Sequence, residues 1–202
     1  MIDDKLEFEQ LYKEFQPKVY HYLTRLVGSR DAEDLTQYIF IKINQALPTF
    51  RSESQLSTWI YQIATNAAID KMRKTANKQG ATETARELNE KDIPAEQRPR
   101  SAEEQVIRRE MNDCIQGYIS VLPENYRTVL VLSEMEGMKN AEIATILGLS
   151  TGTVKIRLHR AKDRLKGLLL ENCNFYQTKC CGSLACEPKG SFPKRIRPFG
   201  HE

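Results

Sequence analysis

The side chains best equipped for chemistry in this chain are its cysteines and a run of cations, and neither group forms a catalytic centre. The three histidines, His21, His159 and His201, are scattered along 202 residues. No Ser, Asp or Glu pattern converges on them to make a nucleophile or an acid–base pair, so an enzyme is not expected. Four of the five cysteines, Cys173, Cys180, Cys181 and Cys186, fall near the C-terminus. In a cytosolic chain, clustered thiols point to metal ligation or redox chemistry before structural disulfides. Four thiolates could hold zinc tetrahedrally or take a softer ion. The spacing gives no paired Cys-x-x-Cys ribbon, however, and the adjacent Cys180 and Cys181 are awkward joint ligands. A tail that only binds a partner is the other reading. Cys114 lies in an apolar helical stripe beside Ile115, which suits a core position.

The cations give a second chemistry. Between Ser150 and Leu170 stand Lys155, Arg157, Arg160, Lys162, Arg164 and Lys166, against Asp163 alone. The rest is nearly balanced: residues 1–75 carry ten basic and ten acidic side chains, and the net charge is +3. A basic helix in a balanced chain is either a solvated face or an element turned towards phosphates. Its neighbours favour the second. Ala141, Ile143, Ala144, Ile146 and Leu147 make a short helix closed by Gly148, which permits a left-handed turn. Leu149 plugs the corner, Ser150 caps the next helix, and Val154, Leu158, Ala161 and Leu165 form its inner face. That is the layout of a helix-turn-helix, whose second helix enters the major groove by its N-terminal half. There Thr153 and Arg157 can hold phosphates, while Lys155, His159 and Arg160 reach base edges.

The elements that position these residues are all helical by periodicity. Phe8, Leu11, Tyr12 and Phe15 form one stripe, and Val19, Tyr22, Leu23 and Leu26 follow Pro17. Gly28-Ser29-Arg30-Asp31 is a break, with Asp31 expected as the cap of a helix through Leu35, Ile39, Ile43 and Ala46 that stops at Leu47-Pro48. A polar loop, Thr49 to Gln55, leads to a helix from about Ser57 carrying Trp59, Ile60, Ile63, Ala67 and Ile69. Residues 76–101 lose periodicity and have the composition of a flexible linker. Helical pattern resumes near Ala102 and runs to about Leu170, and an irregular tail completes the chain at 171–202. Mean hydropathy is −0.54. No apolar run is long enough for a membrane span and the start is acidic, so a cytoplasmic address is expected.

These residues line up with a family. Leu122-Pro123-Glu124-Asn125-Tyr126-Arg127, Glu134-Met135-Glu136-Gly137, Glu142-Ile143-Ala144 and the run from Gly152 to Ala161 closely resemble the sigma-4 domain of extracytoplasmic-function sigma factors of the bacterial sigma-70 family. Asp31-Ala32-Glu33-Asp34-Leu35-Thr36-Gln37, Phe50-Arg51-Ser52-Glu53-Ser54 and the run from Thr58 to Asn66 resemble the matching sigma-2 domain. The resemblance implies an all-α protein with a sigma-2 domain at 1–75, a linker at 76–101 and a sigma-4 domain at 102–170. It implies core RNA polymerase and promoter DNA as partners, with an anti-sigma factor able to wedge between the domains, and no required cofactor. The helix from Asp31 to Ile43 would dock on the clamp helices of the largest polymerase subunit through Asp34 and Gln37.

The loop from Phe50 to Gln55 and the next helix would take the melted -10 element, with Arg51, Asn66, Lys71, Arg73 and Lys74 along the strand. Trp59 could serve as a stacking platform, but its stripe with Ile60 and Ile63 favours the core. The sigma-4 half would read the -35 element as duplex. Two departures stand out. Ile156 replaces a small polar residue, which suits an apolar contact such as a thymine methyl. Tyr38 replaces an acidic residue in the docking helix. A conventional operator-binding regulator would leave the sigma-2 motifs unexplained, and a dedicated metal sensor would rest on the tail cysteines alone.

Overall fold

The computed structural model describes residues 2–50, 55–78, 102–177 and 184–189. The first half is a three-helix packing of α1 (Ile2–Val27), α2 (Ser29–Ala46) and α3 (Leu56–Lys78), with a short 3₁₀ turn at Leu47–Thr49. Val19, Tyr22 and Leu23 of α1, Ile39 and Ile43 of α2, and Ile60 and Ala64 of α3 are all buried. Tyr22 and Thr65 share a hydrogen bond of 2.7 Å inside this core, and Thr65 in turn donates to the Tyr61 carbonyl at 2.6 Å. The buried hydroxyls are therefore satisfied rather than left as a desolvation cost.

Pro17 lies inside α1, which runs unbroken from Ile2 to Val27. The cap of α2 is Gly28, not Asp31, and the helix starts at Ser29. Gly28 at φ +85° reverses the chain in one residue, so the break is shorter than the polar sequence suggests.

The second half contains α4 (Ala102–Ser120), α5 (Glu124–Leu130), α6 (Asn140–Leu147) and α7 (Thr151–Asn172). After α5 the chain makes a widened turn over Val131–Met135, in which the Glu136 N–H donates to the Val131 carbonyl at 3.1 Å. Such i→i+5 turns often sit at functional positions. Residues 171–202, expected to be irregular, instead contain a two-stranded antiparallel hairpin. Its strands are β1 (Cys173–Gln177) and β2 (Leu184–Pro188). β2 packs on α4 and β1 on α7.

The two halves share one contiguous core. Glu136 joins them: it accepts from Arg25 Nη1 at 2.8 Å and from the Tyr61 hydroxyl at 2.6 Å. Only 10% of its side chain is exposed. Burial, and then the Glu136 charge, raise the Tyr61 hydroxyl well above the usual phenol range, so it stays a donor. Arg127 Nη1 donates to the Leu26 carbonyl at 2.9 Å, and its Nη2 donates to the Ser120 and Leu122 carbonyls. Gln116 donates to the Arg25 carbonyl at 3.0 Å.

Candidate nucleic-acid interface

The turn between α6 and α7 is fixed by three local devices. Lys139 N–H donates to the Glu142 carboxylate at 2.7 Å, which satisfies a donor at the start of α6. Gly148 closes α6 in the left-handed region at φ +61°. Ser150 Oγ accepts from Thr153 N–H at 3.1 Å and holds the first turn of α7. Val154 and Ala161 are buried, and Leu158 and Leu165 pack against the same core.

With that inner face fixed, Lys155, Ile156, His159 and Arg160 emerge together on the exposed side, and Thr153 and Arg157 flank them half-buried. Ile156 is 55% exposed, a large apolar side chain with no protein to cover it. The Thr153 hydroxyl is already hydrogen-bonded to Ser150 at 2.9 Å, so its part is shared with the cap. His159 Nδ1 lies 2.9 Å from Asp163 Oδ2, which turns the other ring edge outward. Lys162 differs from its basic neighbours. It pairs with Glu134 at 2.9 Å, and this bond, with a second from Ser133, holds the Glu134 carboxyl below its ordinary range.

On the other half, a groove of about 730 Å³ runs between α2 and α3. Tyr38, Lys42, Trp59, Asn66, Lys71 and Lys74 line it. Asn66 and Lys74 are exposed, while Lys71 is half-buried and paired with Asp31 at 3.0 Å. Arg73 is not part of this groove. Its guanidinium grips Glu124 of α5 at 3.1 and 3.2 Å and so belongs to the contact between halves. Arg51 lies outside the described residues. Trp59 is neither wholly core nor wholly surface. It packs against the core, meets the Phe50 ring at 4.9 Å between centroids, and presents an edge to the groove. Aromatic edges beside amines and an amide can stack and neutralise an unpaired strand.

Asp34 and Gln37 are both exposed on α2. Tyr38, 48% exposed, and Ile41, 60% exposed, lie on the same stripe. Ile41 was missed from sequence, although its i+7 spacing from Asp34 marks it. Two apolar groups in an otherwise polar helix surface suit a protein partner. Of the tail cysteines, Cys173 and Cys186 lie in the hairpin, while Cys180 and Cys181 fall outside the described residues. Among the described residues no group of three or more His, Cys, Asp or Glu is placed to hold a metal ion.

Comparison with known proteins agrees with this division. Residues 11–78 match the family Sigma-70 region 2, and residues 112–165 match Sigma-70, region 4. The chain is 32% identical over 174 residues to the ECF RNA polymerase sigma factor SigW of Bacillus subtilis, covering 81% of this chain and 89% of that protein. It is 34% identical over 171 residues to the RNA polymerase sigma-H factor of Pseudomonas aeruginosa, covering 80% and 86%. The fold is similar to that of the sigma factor RpoE in its complex with the anti-sigma factor NepR from Bartonella quintana. The TM-score is 0.64 at 23% identity, covering 81% of this chain and 97% of that one. CnrH, solved with the cytosolic domain of CnrY, gives a TM-score of 0.59 at 23% identity, covering 83% and 90%.

Proposed function

The chain belongs to the extracytoplasmic-function sigma factors of the sigma-70 family, and from that premise we propose how its surfaces divide promoter recognition. As a sigma factor it is a transcription initiation factor that works with core RNA polymerase and promoter DNA and is not itself an enzyme. The observation that carries the reading is the exposed face Lys155, Ile156, His159 and Arg160, held outward by the Gly148 turn and the Ser150 cap. This face reads the -35 element. The cations and the His159 ring make polar contacts, Ile156 packs on a thymine methyl, and Thr153 and Arg157 hold flanking phosphates.

The α2–α3 groove receives the melted -10 strand, with Asn66, Lys71 and Lys74 beside it and Arg51 arriving from the adjoining loop. Arg73 joins the strand after Glu124 releases it. Asp34 and Gln37, with Tyr38 and Ile41, dock on the clamp helices of the largest polymerase subunit. The domain limits proposed are 1–75 and 102–170, with a linker at 76–101 and a tail at 171–202; a region 2 match over 11–78 and a region 4 match over 112–165 support a two-domain division. An anti-sigma factor is a further partner, supported by the complex in which RpoE of Bartonella quintana was solved. The chain acts in the cytoplasm, where polymerase is; among the described residues no helix is long and apolar enough to cross a membrane. Zinc or another soft ion at Cys173, Cys180, Cys181 and Cys186 is supported by the crowding of four thiols in a short tail, and the sigma function does not require it.

Run-off transcription with core polymerase on a mapped promoter tests the assignment. Asp34→Ala with Gln37→Ala is expected to weaken polymerase binding, and Asn66→Ala with Lys74→Ala to lose open-complex formation while duplex binding persists. Normal open complexes from the Asn66 and Lys74 variant would remove the groove from the -10 role.

A further inference from the structure

Away from the promoter-facing surfaces, thiols from three separate elements meet in one apolar pocket. Cys114 comes from α4, Cys173 is the first residue of β1, and Cys186 comes from β2. All three are free thiols. Cys114 and Cys173 are buried with Tyr118 in one small cluster, and Cys186 packs against it. The Cys173 thiol also faces the buried Tyr118 hydroxyl at 3.8 Å, and Leu165, Leu168 and Leu169 complete the walls. Strand register explains the meeting. Cys173 stands opposite Pro188 and Cys186 opposite Phe175, so both cysteines point from the same face of the hairpin. That face packs on the helix that carries Cys114.

Access differs sharply within the cluster. Cys114 is 7% exposed and Cys173 is 2% exposed, whereas Cys186 is only half-buried. An oxidant arriving from solvent therefore meets Cys186 first. Its two possible partners are not equivalent. Cys173 is its diagonal neighbour across the strand pair, a relation that typically holds Cα atoms about 7–8 Å apart. That is beyond the roughly 7 Å over which a disulfide closes without backbone movement. Cys114 approaches from a helix and is free of the sheet's spacing.

We propose that Cys114 and Cys186 form a dithiol–disulfide site at which a peroxide clamps the tail hairpin covalently onto α4. The Cys186 sulfur attacks the O–O bond of a hydroperoxide, giving a sulfenic acid and releasing the alcohol, or water when the oxidant is hydrogen peroxide. The Cys114 sulfur then displaces the hydroxyl from Cys186, forming the disulfide and releasing water. Two thiols and one hydroperoxide thus give one disulfide, one alcohol and one water, and the two electrons lost by sulfur reduce the peroxide. A small-molecule thiol reverses the bond by exchange. The site rests on the thiol geometry and not on the promoter assignment, so either can fail without the other.

Two further observations shape the chemistry. Burial, and then the neighbouring thiols, push Cys114 up to about 12, and burial also raises Cys186. No three of the described Cys, His, Asp or Glu side chains are placed to hold a metal ion. The clamp would also fix Phe175, which closes an apolar groove of about 340 Å³ with Leu130, Leu165 and Leu169.

The test uses the reduced full chain carrying Cys180→Ser and Cys181→Ser, treated with hydrogen peroxide, alkylated and mapped by peptide mass. The expected product is a peptide carrying Cys114 joined to Cys186, reversed by dithiothreitol. In a Cys114→Ala variant, Cys186 should stop at the sulfenic or sulfinic state. A Cys114 that stays alkylatable while Cys173 and Cys186 cross-link, or no internal cross-link at all, would overturn the proposal. Mapping on the parent chain decides the matter even if the Cys114→Ala variant folds poorly.

Discussion

At the start of α7 the exposed residues divide by what they can distinguish. Lys155 and Arg160 bring charge, which phosphates and base edges both accept, whereas Ile156 brings only an apolar surface that a methyl group rewards. Arg157→Ala, at a phosphate contact, is expected to weaken duplex binding on all sequences alike and to lower the slope of log K against log salt by about 1. Ile156→Ser should leave that slope unchanged and relax the preference at one base pair, at a cost of about 1–3 kcal/mol on the preferred sequence. Filter binding at several salt concentrations on a small operator panel separates the two. A uniform loss from Ile156→Ser would place it against the backbone instead. Residue types in this helix were legible because helix periodicity alone decides which of them share a face. The same reasoning does not reveal that Arg73 and Lys162 are ion-paired, because their partners Glu124 and Glu134 stand on other elements. Charge type announces a cation, but only the fold shows whether it is already paired.

The helix-turn-helix depends on a few residues of local chemistry, and its stability should respond to them. A side chain added at Gly148 meets nothing within 4 Å, so the cost of Gly148→Ala is backbone strain at φ +61°. That is expected to be about 1–2 kcal/mol. Ser150→Ala, which removes the acceptor for Thr153 N–H, should cost about 1 kcal/mol. Thermal unfolding followed by circular dichroism checks both, and an unchanged midpoint for Gly148→Ala would mean that the turn relaxes. This motif was readable from sequence because its signals are adjacent: a Gly where the helix must end and a Ser where the next begins. The tail hairpin was not. In β1 only Cys173 is buried and the next four residues are exposed, so no alternation marks it as a strand. Its pairing with β2 depends instead on packing against α4 and α7. The α1–α2 break was found from its polar residues, but its cap was misplaced because Gly28 needs no side chain to turn the chain.

On the scale of the whole molecule, the two halves are packed together through one contiguous core. A compact chain of this length is roughly 40 Å across. The segment between Lys78 and Ala102 can reach at most about 80 Å when fully extended, enough to let the halves separate along DNA. Removing Glu136 from the packed state strands Arg25 and the Tyr61 hydroxyl together. Glu136→Ala is expected to weaken the closed arrangement by about 2 kcal/mol, or roughly 30-fold in its equilibrium. Small-angle scattering should then show a larger radius of gyration, and polymerase binding should tighten. An unchanged radius would mean that the apolar contact holds the halves without this ion pair.

The sequence by itself determined the helices, the helix-turn-helix with its outward face, and membership of the sigma family. These rest on periodicity, capping and motifs that act within a few residues. Tertiary structure decided which of those residues are available. Arg25 and Glu136 are 111 positions apart, Arg73 and Glu124 are 51 apart, and Cys173 and Tyr118 are 55 apart. Such pairs form only after separate helices bury their faces together, because the entropy of closing those loops is met by packing and not by the polar contacts themselves. No local pattern encodes them, and so Cys114 reads in sequence as one more core residue while the fold places it beside two other thiols.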